Sequence, residues 1–541
     1  MSLRYDALNI VLAYLYANAP EKYLPIISKE LCEMCLVASD FVNMDRLQAK
    51  TYNETQNVLS GLNEKESIRK TKGVYYTPYD VVAFIARNCV RLAYGELKDG
   101  ISEDKLGSIP YEDFCKKKIV FDPTCGAGEF LLSMLNIKFD EWDKGAGKIS
   151  KSDISKIIST IRGNDINEDS IIISKLRIYL MGVHRYGAEK CVGLSTVLNK
   201  CFSTNDYVVD PPSQERIYDI VIGNPPYVED SKSGLTLDVK YGNIYANVLV
   251  NAAKNLKSNG VFGFIIPLSY ISTPRMKKLR DALLALVPEQ YILNYSDRPD
   301  CLFTSVHQKL SILICKSRKG SPKILTGNYQ YWYKEERPEL FLKTEVIENK
   351  FGTDGFIPKL GNDLDISVFR KVTEKAGRKS LADLNDKNGV PVFVNMRAAF
   401  WIKAFRNDHS GAEYKQFLFE SEGKADYYFC LLNSSLFWWY WIAVSDCWHI
   451  TKKEFKNFMV IEISDYSKAK KLAKALEKKL EKTKVYVGTV QTEYEYKHRS
   501  CVKEIHNIDE YINELYGLNK RESEYIKRFA LNYRVSGGVT K

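Results

Sequence analysis

One ten-residue stretch limits what this chain can become more than any other: Tyr218-Asp219-Ile220-Val221-Ile222-Gly223-Asn224-Pro225-Pro226-Tyr227. Residues Ile217 to Ile222 read as a buried strand that stops at a glycine. The proline pair must then leave the sheet, because neither ring has an N–H to donate to a ladder. A rigid, extended turn follows, with its carbonyls free to accept hydrogen bonds. Asn224 adds a side-chain acceptor and Tyr227 an aromatic face. Acceptors beside a flat stacking surface suit an exocyclic amino group on a planar ring. In open α/β sheets, chemistry collects at the carboxyl ends of the strands, which is where this turn lies.

A second stretch supplies a ligand site. Ile119-Val120-Phe121 reads as a strand and runs into Asp122-Pro123-Thr124-Cys125-Gly126-Ala127-Gly128, followed by a helix through Leu131, Leu132 and Met134. Strand, Gly-x-Gly turn and helix form the nucleotide-binding opening of a doubly wound sheet. Asp122 at the head of the turn would repel a pyrophosphate and attract a cation, which favours a sulfonium cofactor over a dinucleotide. Asp165 and Ile166 end the next expected strand, where an acid accepts from ribose hydroxyls. The distance from Gly128 to Asp165 exceeds the usual ~20 residues. An inserted loop over Lys144 to Ser152 is expected to account for the excess. Asp206 and Tyr207 offer an acid and an aromatic for an adenine; an Asx turn is the plainer role for Asp206.

Further strands are expected at 261–267, 291–293 and 310–314, with helices at 169–183, 243–256 and 275–286 between them. Together they give an α/β, doubly wound, Rossmann-like sheet of about seven strands. Polar, glycine-containing residues 228–242 read as a mobile loop beside the site. Ahead of the sheet, residues 1–65 form a helical segment. Thr71 to Asp80 contains Tyr75-Tyr76-Thr77-Pro78, with Thr77 expected as the N-cap of the following helix and Pro78 in its first turn. A helix N-terminus flanked by tyrosines can hold a carboxylate.

These pieces resemble the amino-group DNA methyltransferases that use S-adenosylmethionine, over roughly Lys72 to Cys315. Their order, with Tyr-Tyr-Thr-Pro first, then the glycine turn, then Asn-Pro-Pro-Tyr and a C-terminal extension, is similar to the gamma arrangement. The resemblance implies that Tyr76 and Thr77 seat the methionine end of the cofactor, with Asp122, Pro123, Thr124, Cys125, Gly126, Ala127 and Gly128 around it. Asp165 and Ile166 would hold the ribose, Asp206 and Tyr207 the adenine. It implies catalysis by Asn224, Pro225, Pro226 and Tyr227, and an asparagine in the first position implies adenine N6 as acceptor. Asn224 and the Pro225 carbonyl would draw the amino nitrogen toward tetrahedral geometry, freeing its lone pair for the sulfonium methyl. Tyr227 would stack on the flipped base, with Phe303 or His307 as a second contact.

Beyond residue 320 the α/β pattern stops, and five of the seven tryptophans fall between Trp401 and Trp448. This marks residues 321–541 as an α+β target-recognition domain, after a methyltransferase domain at 66–320. From Ser321 onward 37 Lys and Arg face 30 Asp and Glu, so +7 of the net +11 lies there. A polyanionic partner, double-stranded DNA, fits that balance. Arg397, Trp401, Lys403 and Arg406 interleave charge with aromatic surface, which suits DNA contacts or, equally, an amphipathic core element, and Lys452 and Lys453 are further candidate contacts. The long helical stretch 466–484 is lysine-rich, with a solvated face as its plain reading.

Twelve scattered cysteines suit free thiols in a reducing cytoplasm. The lone Cys32-x-x-Cys35 pair lies in an apolar helical pattern, as buried core thiols rather than a metal site. The chemistry requires no metal, and no apolar run reaches the ~18 residues of a membrane span. Expected, then, is a cytoplasmic, sequence-specific adenine-N6 DNA methyltransferase of a restriction–modification or related defence system. No Asp…Glu-x-Lys nuclease set precedes the tyrosine motif, so DNA cleavage would need another subunit; the alternative is a modification or specificity component of a bifunctional or multisubunit restriction enzyme, with a separate restriction or specificity subunit as partner. A protein-glutamine or RNA methyltransferase is the lesser alternative, since an Asn-Pro-Pro-Tyr turn also serves amides.

Overall fold

A computed structural model describes residues 3–38, 50–62, 77–95, 97, 101, 106–213, 216–303, 307–342, 344–352, 355–384, 386, 388–409, 411–488 and 493–536. Its centre is a mixed sheet of nine strands: β1 Val120–Asp122, β2 Ile161–Asp165, β3 Phe202–Thr204, β4 Tyr218–Gly223, β5 Leu256–Pro267, β6 Glu289–Tyr295, β7 Leu310–Lys316, β8 Lys323–Gln330 and β9 Ile347–Glu348. Their spatial order is β3-β2-β1-β4-β5-β7-β6-β8-β9. Strands β3 to β5 run parallel, and β7 inserts antiparallel between β5 and β6.

The expected count of about seven strands is therefore exceeded by two. Strand β8 pairs parallel with β6, and β9 pairs antiparallel with β8. Both come from beyond residue 320, so the sheet itself, and not a linker, carries the chain across the expected boundary. Burial explains why the sequence pattern missed them. β8 mixes buried with half-buried residues near the sheet margin, where the continuous apolar run of an interior strand is absent.

The end of β4, before the crossover through helix Tyr245–Asn255 to the parallel β5, sets the site. Alternate residues of the central strands enter different cores: Ile220 and Ile222 face helices Tyr79–Tyr94, Glu129–Ala146 and Glu168–Tyr186, whereas Val221, Phe262 and Phe264 face helix Tyr245–Asn255 and the C-terminal half. Both faces of β4 are thus dry, and its end at Gly223 is positioned by the whole core. Helices Leu3–Asn18, Leu24–Cys35 and Tyr52–Gly61 join the first of these cores, as the N-terminal helical reading expects. Cys32 and Cys35 are buried there.

Two local expectations are corrected. Lys144 to Ser152 is not an inserted loop: the preceding helix runs to Ala146, and a new helix starts at Lys151, capped reciprocally by Ser150 and Asp153. Only a four-residue link remains between two ordinary helices. Thr77 is not an N-cap either; Pro78 occupies that position and donates no side-chain cap.

In the C-terminal half, a three-stranded antiparallel sheet (390–395, 404–405 and 414–419) packs on helix Glu422–Asn433, and helix Ser435–Val444 follows. The two helices are parted at Ser434, whose hydroxyl accepts from the Phe437 N–H and starts the second. Every residue of that second helix is buried. Helices Val502–Leu515 and Lys520–Arg528 follow, separated by a glycine stop, Gly517 at φ 64°. Arg534 ends the packing, its guanidinium 4.0 Å from the Trp401 ring centre and 4.2 Å from that of Trp438.

Candidate active site

The Asp122–Gly128 turn closes over the ends of β1 and β2. Gly126 and Gly128 take φ values of 51° and 88°, where a side chain is strained. A Cβ on Gly128 would also lie 2.9 Å from Ser174 Oγ, so the turn approaches helix Glu168–Tyr186 as closely as backbone allows. At Gly126, by contrast, a Cβ would meet nothing within 4 Å. The turn presents open space on that side.

Two carboxylates shape this hollow. Asp122 is 1% exposed and its Oδ1 accepts from the Thr124 N–H at 3.0 Å. Burial pushes its carboxyl well above the usual range, the Thr124 hydrogen bond opposes this, and the Asp165 charge adds to it. Among the described residues no basic side chain forms an ion pair with Asp122. A buried carboxylate that lacks a cation is what a sulfonium group would fit. Asp165 Oδ2 accepts from the Gly126 N–H and Oδ1 from the Asn167 N–H, both at 2.9 Å. Each carboxylate oxygen has further lone-pair capacity for a hydroxyl donor.

The adenine end departs from expectation in one respect. Tyr207 is 3% exposed, packs on Phe121 and donates to Asn255 Oδ1 at 2.6 Å, so its ring belongs to the core and cannot cover a ligand. Ile166, 64% exposed, has the apolar surface instead. Asp206 forms the Asx turn, accepting from the Val208 N–H at 3.0 Å. Cys125 is buried. Tyr76 lies outside the described residues.

At the end of β4 the backbone passes against the first carboxylate: a Cβ on Gly223 would lie 2.7 Å from Asp122 Oδ1. Asn224 follows, half-buried. Its Nδ2 donates to Thr77 Oγ1 at 3.0 Å, and its Oδ1 accepts from the Tyr227 hydroxyl at 2.5 Å. That hydroxyl also lies 2.8 Å from the Ile265 carbonyl. Thr124 Oγ1 reaches the Asn224 carbonyl at 3.4 Å, which ties the glycine turn to the Asn-Pro-Pro-Tyr turn. The three motifs read separately in the sequence are one hydrogen-bonded cluster. Residues 228–242, expected as a mobile loop, are held by bonds from Gly242 N–H to Asp230 Oδ2 and from Asn247 Nδ2 to the Val239 carbonyl.

The match with known proteins agrees with this geometry. Residues 159–298 match the family described as Eco57I restriction-modification methylase. The matched segment includes β2, β4 and the whole Asn-Pro-Pro-Tyr turn. The chain is also 28% identical over 300 residues to the type II methyltransferase M.BanIII of Aneurinibacillus aneurinilyticus, covering 52% of this chain and 45% of that protein. It is 24% identical over 232 residues to the type II methyltransferase M.VspI of Vibrio sp. (strain 343), covering 41% and 43%. The chain thus spans less than half the length of these relatives. A solved structure of the ATP-dependent type ISP restriction-modification enzyme LlaBIII bound to DNA superposes with a TM-score of 0.48 at 13% identity, over 88% of this chain and 45% of that one. The resemblance to restriction–modification methylases drawn from the motifs is borne out, and S-adenosylmethionine is the cofactor this match supports.

The expected DNA contacts divide. Arg397 and Lys452 are exposed, Arg397 in an ion pair with Glu413 at 2.8 Å. Arg406 spends its donors inside the protein, on Glu422, Asp426 and the Pro391 carbonyl. Lys453 donates to the Ser272 and Val444 carbonyls at 2.5 and 2.8 Å. Both are internal ties. Trp401 is stacked on Arg534 and donates to its carbonyl, and burial lowers the Lys403 pKa. Phe303 is 2% exposed and belongs to a core cluster, whereas His307 is exposed.

Sequence reading missed a cleft at the same sheet edge. Strands β4, β6 and β8 run the same way, so the residues after β6 and before β7 share the rim with Asn224. Arg298 and Lys309 lie 5.3 and 4.4 Å from the ring centre of the half-buried Trp448, with Tyr331 and Phe400 behind. No local pattern could have signalled it, because Arg298 and Trp448 are far apart in the chain.

Proposed function

We propose that this protein is a DNA adenine-N6 methyltransferase of a restriction–modification system. The carrying observation is the Asn224–Pro225 acceptor pair at the end of β4, beside a buried carboxylate and a glycine turn. S-adenosylmethionine, held by Asp122, the Thr124–Gly128 backbone, Asp165 and Ile166, supplies an electrophilic methyl group when bound. All else falls to the chain's own residues.

Asn224 Oδ1 and the Pro225 carbonyl accept the two N–H bonds of the target amino group. These bonds favour a tetrahedral nitrogen, whose lone pair is no longer shared with the ring. Neither acceptor is a conventional base, so the surplus proton leaves to solvent after transfer. Tyr227 holds the extruded base by its aromatic face. Duplex DNA is the partner, gripped along the rim by Arg298, Lys309 and Trp448 and by the exposed Arg397, Lys452 and His307. In this assignment Arg406 and Lys453 are structural, and Phe303 does not stack.

The reading is tested by methyl transfer from labelled S-adenosylmethionine to bacterial DNA, mapped at single-base resolution, with Asn224→Ala as control. N6-methyladenine in one short motif, absent with the variant, is the expected result. Cofactor binding without any DNA methylation would refute it.

A further inference from the structure

The glycine turn over the cofactor hollow is built from the residues least able to hold a shape by themselves. Gly126 and Gly128 flank Ala127, at φ values of 51° and 88°. Glycine visits either sign of φ about equally, so the two peptide units between them reorient at little conformational cost. Such a reorientation would swing the N–H groups that a ligand meets. Something outside the turn must therefore hold it.

Helix Glu168–Tyr186 does so with two side chains one turn apart. Ser174 Oγ donates to the Gly126 carbonyl at 2.7 Å, and Arg177 Nη1 to the Ala127 carbonyl at 2.7 Å. In a planar trans peptide the N–H points opposite the C=O. Holding both carbonyls toward the helix thus aims the Ala127 N–H away from it, and sends the Gly128 N–H back to the Cys125 carbonyl at 2.8 Å. Ser174 is short and reaches the turn directly. Arg177 is long and loses much rotamer freedom to do the same, so it needs support of its own.

That support comes from the N-terminal helices. Arg177 is 4% exposed, and its Nε donates to Gln56 Oε1 at 2.9 Å. Gln56 Nε2 returns a bond to the Arg177 carbonyl at 3.0 Å, so the two residues grip each other twice. Arg177 Nη1 also donates to Glu129, which accepts from Ser60 Oγ at 2.7 Å. Gln56 and Ser60 lie one turn apart on helix Tyr52–Gly61, whose start is fixed by the reciprocal cap of Thr51 and Glu54. We propose that Arg177 is a positioning residue for the cofactor, and that helix Tyr52–Gly61 holds it in place through Gln56. The N-terminal segment thereby serves the cofactor site through the backbone of the turn. This inference rests on the glycine turn being the cofactor site.

The test is the binding of S-adenosylhomocysteine to the full chain, measured at equilibrium by calorimetry and in time by stopped flow. A turn that holds its competent shape for only a fraction of the time weakens apparent affinity by that fraction. Arg177→Met should therefore weaken binding about tenfold, the size of one hydrogen bond lost. The loss should fall on the association rate, with dissociation within about twofold of the wild type, because the occupied turn is the same. Gln56→Leu should weaken binding in the same way by about threefold. The double variant should bind no worse than Arg177→Met alone, since Gln56 acts only through Arg177. Gln56→Glu keeps the acceptor for Nε and should restore wild-type affinity. Urea melts check that each variant is folded; should Arg177→Met not fold, Gln56→Leu and Gln56→Glu carry the test.

Unchanged binding in folded variants, additive losses in the double variant, or a loss carried by dissociation would each overturn the inference. Asp165→Ala is the control for the site. Wild-type affinity in that variant would refute the placement of the cofactor itself, which separates the two failures.

Discussion

Replacing Tyr227 by phenylalanine should tighten DNA binding, whereas replacing it by alanine should weaken it. The hydroxyl lies 2.5 Å from Asn224 Oδ1 and 2.8 Å from the Ile265 carbonyl. In the proposed function it stands where the target amino group goes, so an arriving base has to displace it. Breaking a hydrogen bond of this kind costs about 0.5–1.5 kcal/mol net. Phenylalanine removes that cost and keeps the ring, whose stacking on a base is worth about 1–3 kcal/mol. A gain near 1 kcal/mol corresponds to roughly fivefold tighter binding. Alanine also removes the plug but loses the ring, for a net loss of about 1 kcal/mol and roughly fivefold weaker binding. The free protein should lose about 1 kcal/mol of stability in the phenylalanine variant, from the same missing bond. Binding isotherms with target duplex and S-adenosylhomocysteine, paired with urea melts, give both numbers. If phenylalanine weakens DNA binding as much as alanine does, the hydroxyl contacts the bound base and is not a plug.

Two further outcomes follow from the geometry. Gly223→Ala places a Cβ 2.7 Å from Asp122 Oδ1, a buried carboxylate with little room to retreat; cofactor affinity measured by calorimetry should fall about tenfold, and an unchanged affinity would remove Asp122 from the cofactor site. His498 is buried, with its pKa pushed down to about 3 chiefly by burial and then by the nearby Lys403 charge. Between about pH 6.5 and 3 the unfolded chain binds a proton there and the native state does not, so stability falls as pH falls, by up to about 1.4 kcal/mol per unit. Urea midpoints at pH 7 and pH 5 should show this slope, and His498→Gln should flatten it.

The strand that ends in Asn-Pro-Pro-Tyr and the glycine turn after β1 were legible because both are short-range. An apolar run, a chain break enforced by proline and a turn that needs glycine all act over a few residues. The order of motifs then pointed to the proposed class of chemistry. Errors arose where tertiary packing overrides local pattern. Tyr207 has the composition of a ligand-facing aromatic, yet the gap between Phe121 and Asn255 takes it into the core. Arg406 and Lys453 have the composition of phosphate contacts, yet neighbouring carboxylates and carbonyls of the protein claim them first.

By itself, then, the sequence determined the α/β core, the glycine turn after β1 and the Asn-Pro-Pro-Tyr turn after β4, since each follows from periodicity and backbone chemistry within one stretch. Only the tertiary structure decided how those stretches meet. It set Thr77 against Asn224 across 147 positions, brought Trp448 onto Arg298 at the sheet rim, and added β8 and β9 to the sheet. Contacts at that separation depend on the packing of whole helices and strands, and no local pattern of residues encodes them.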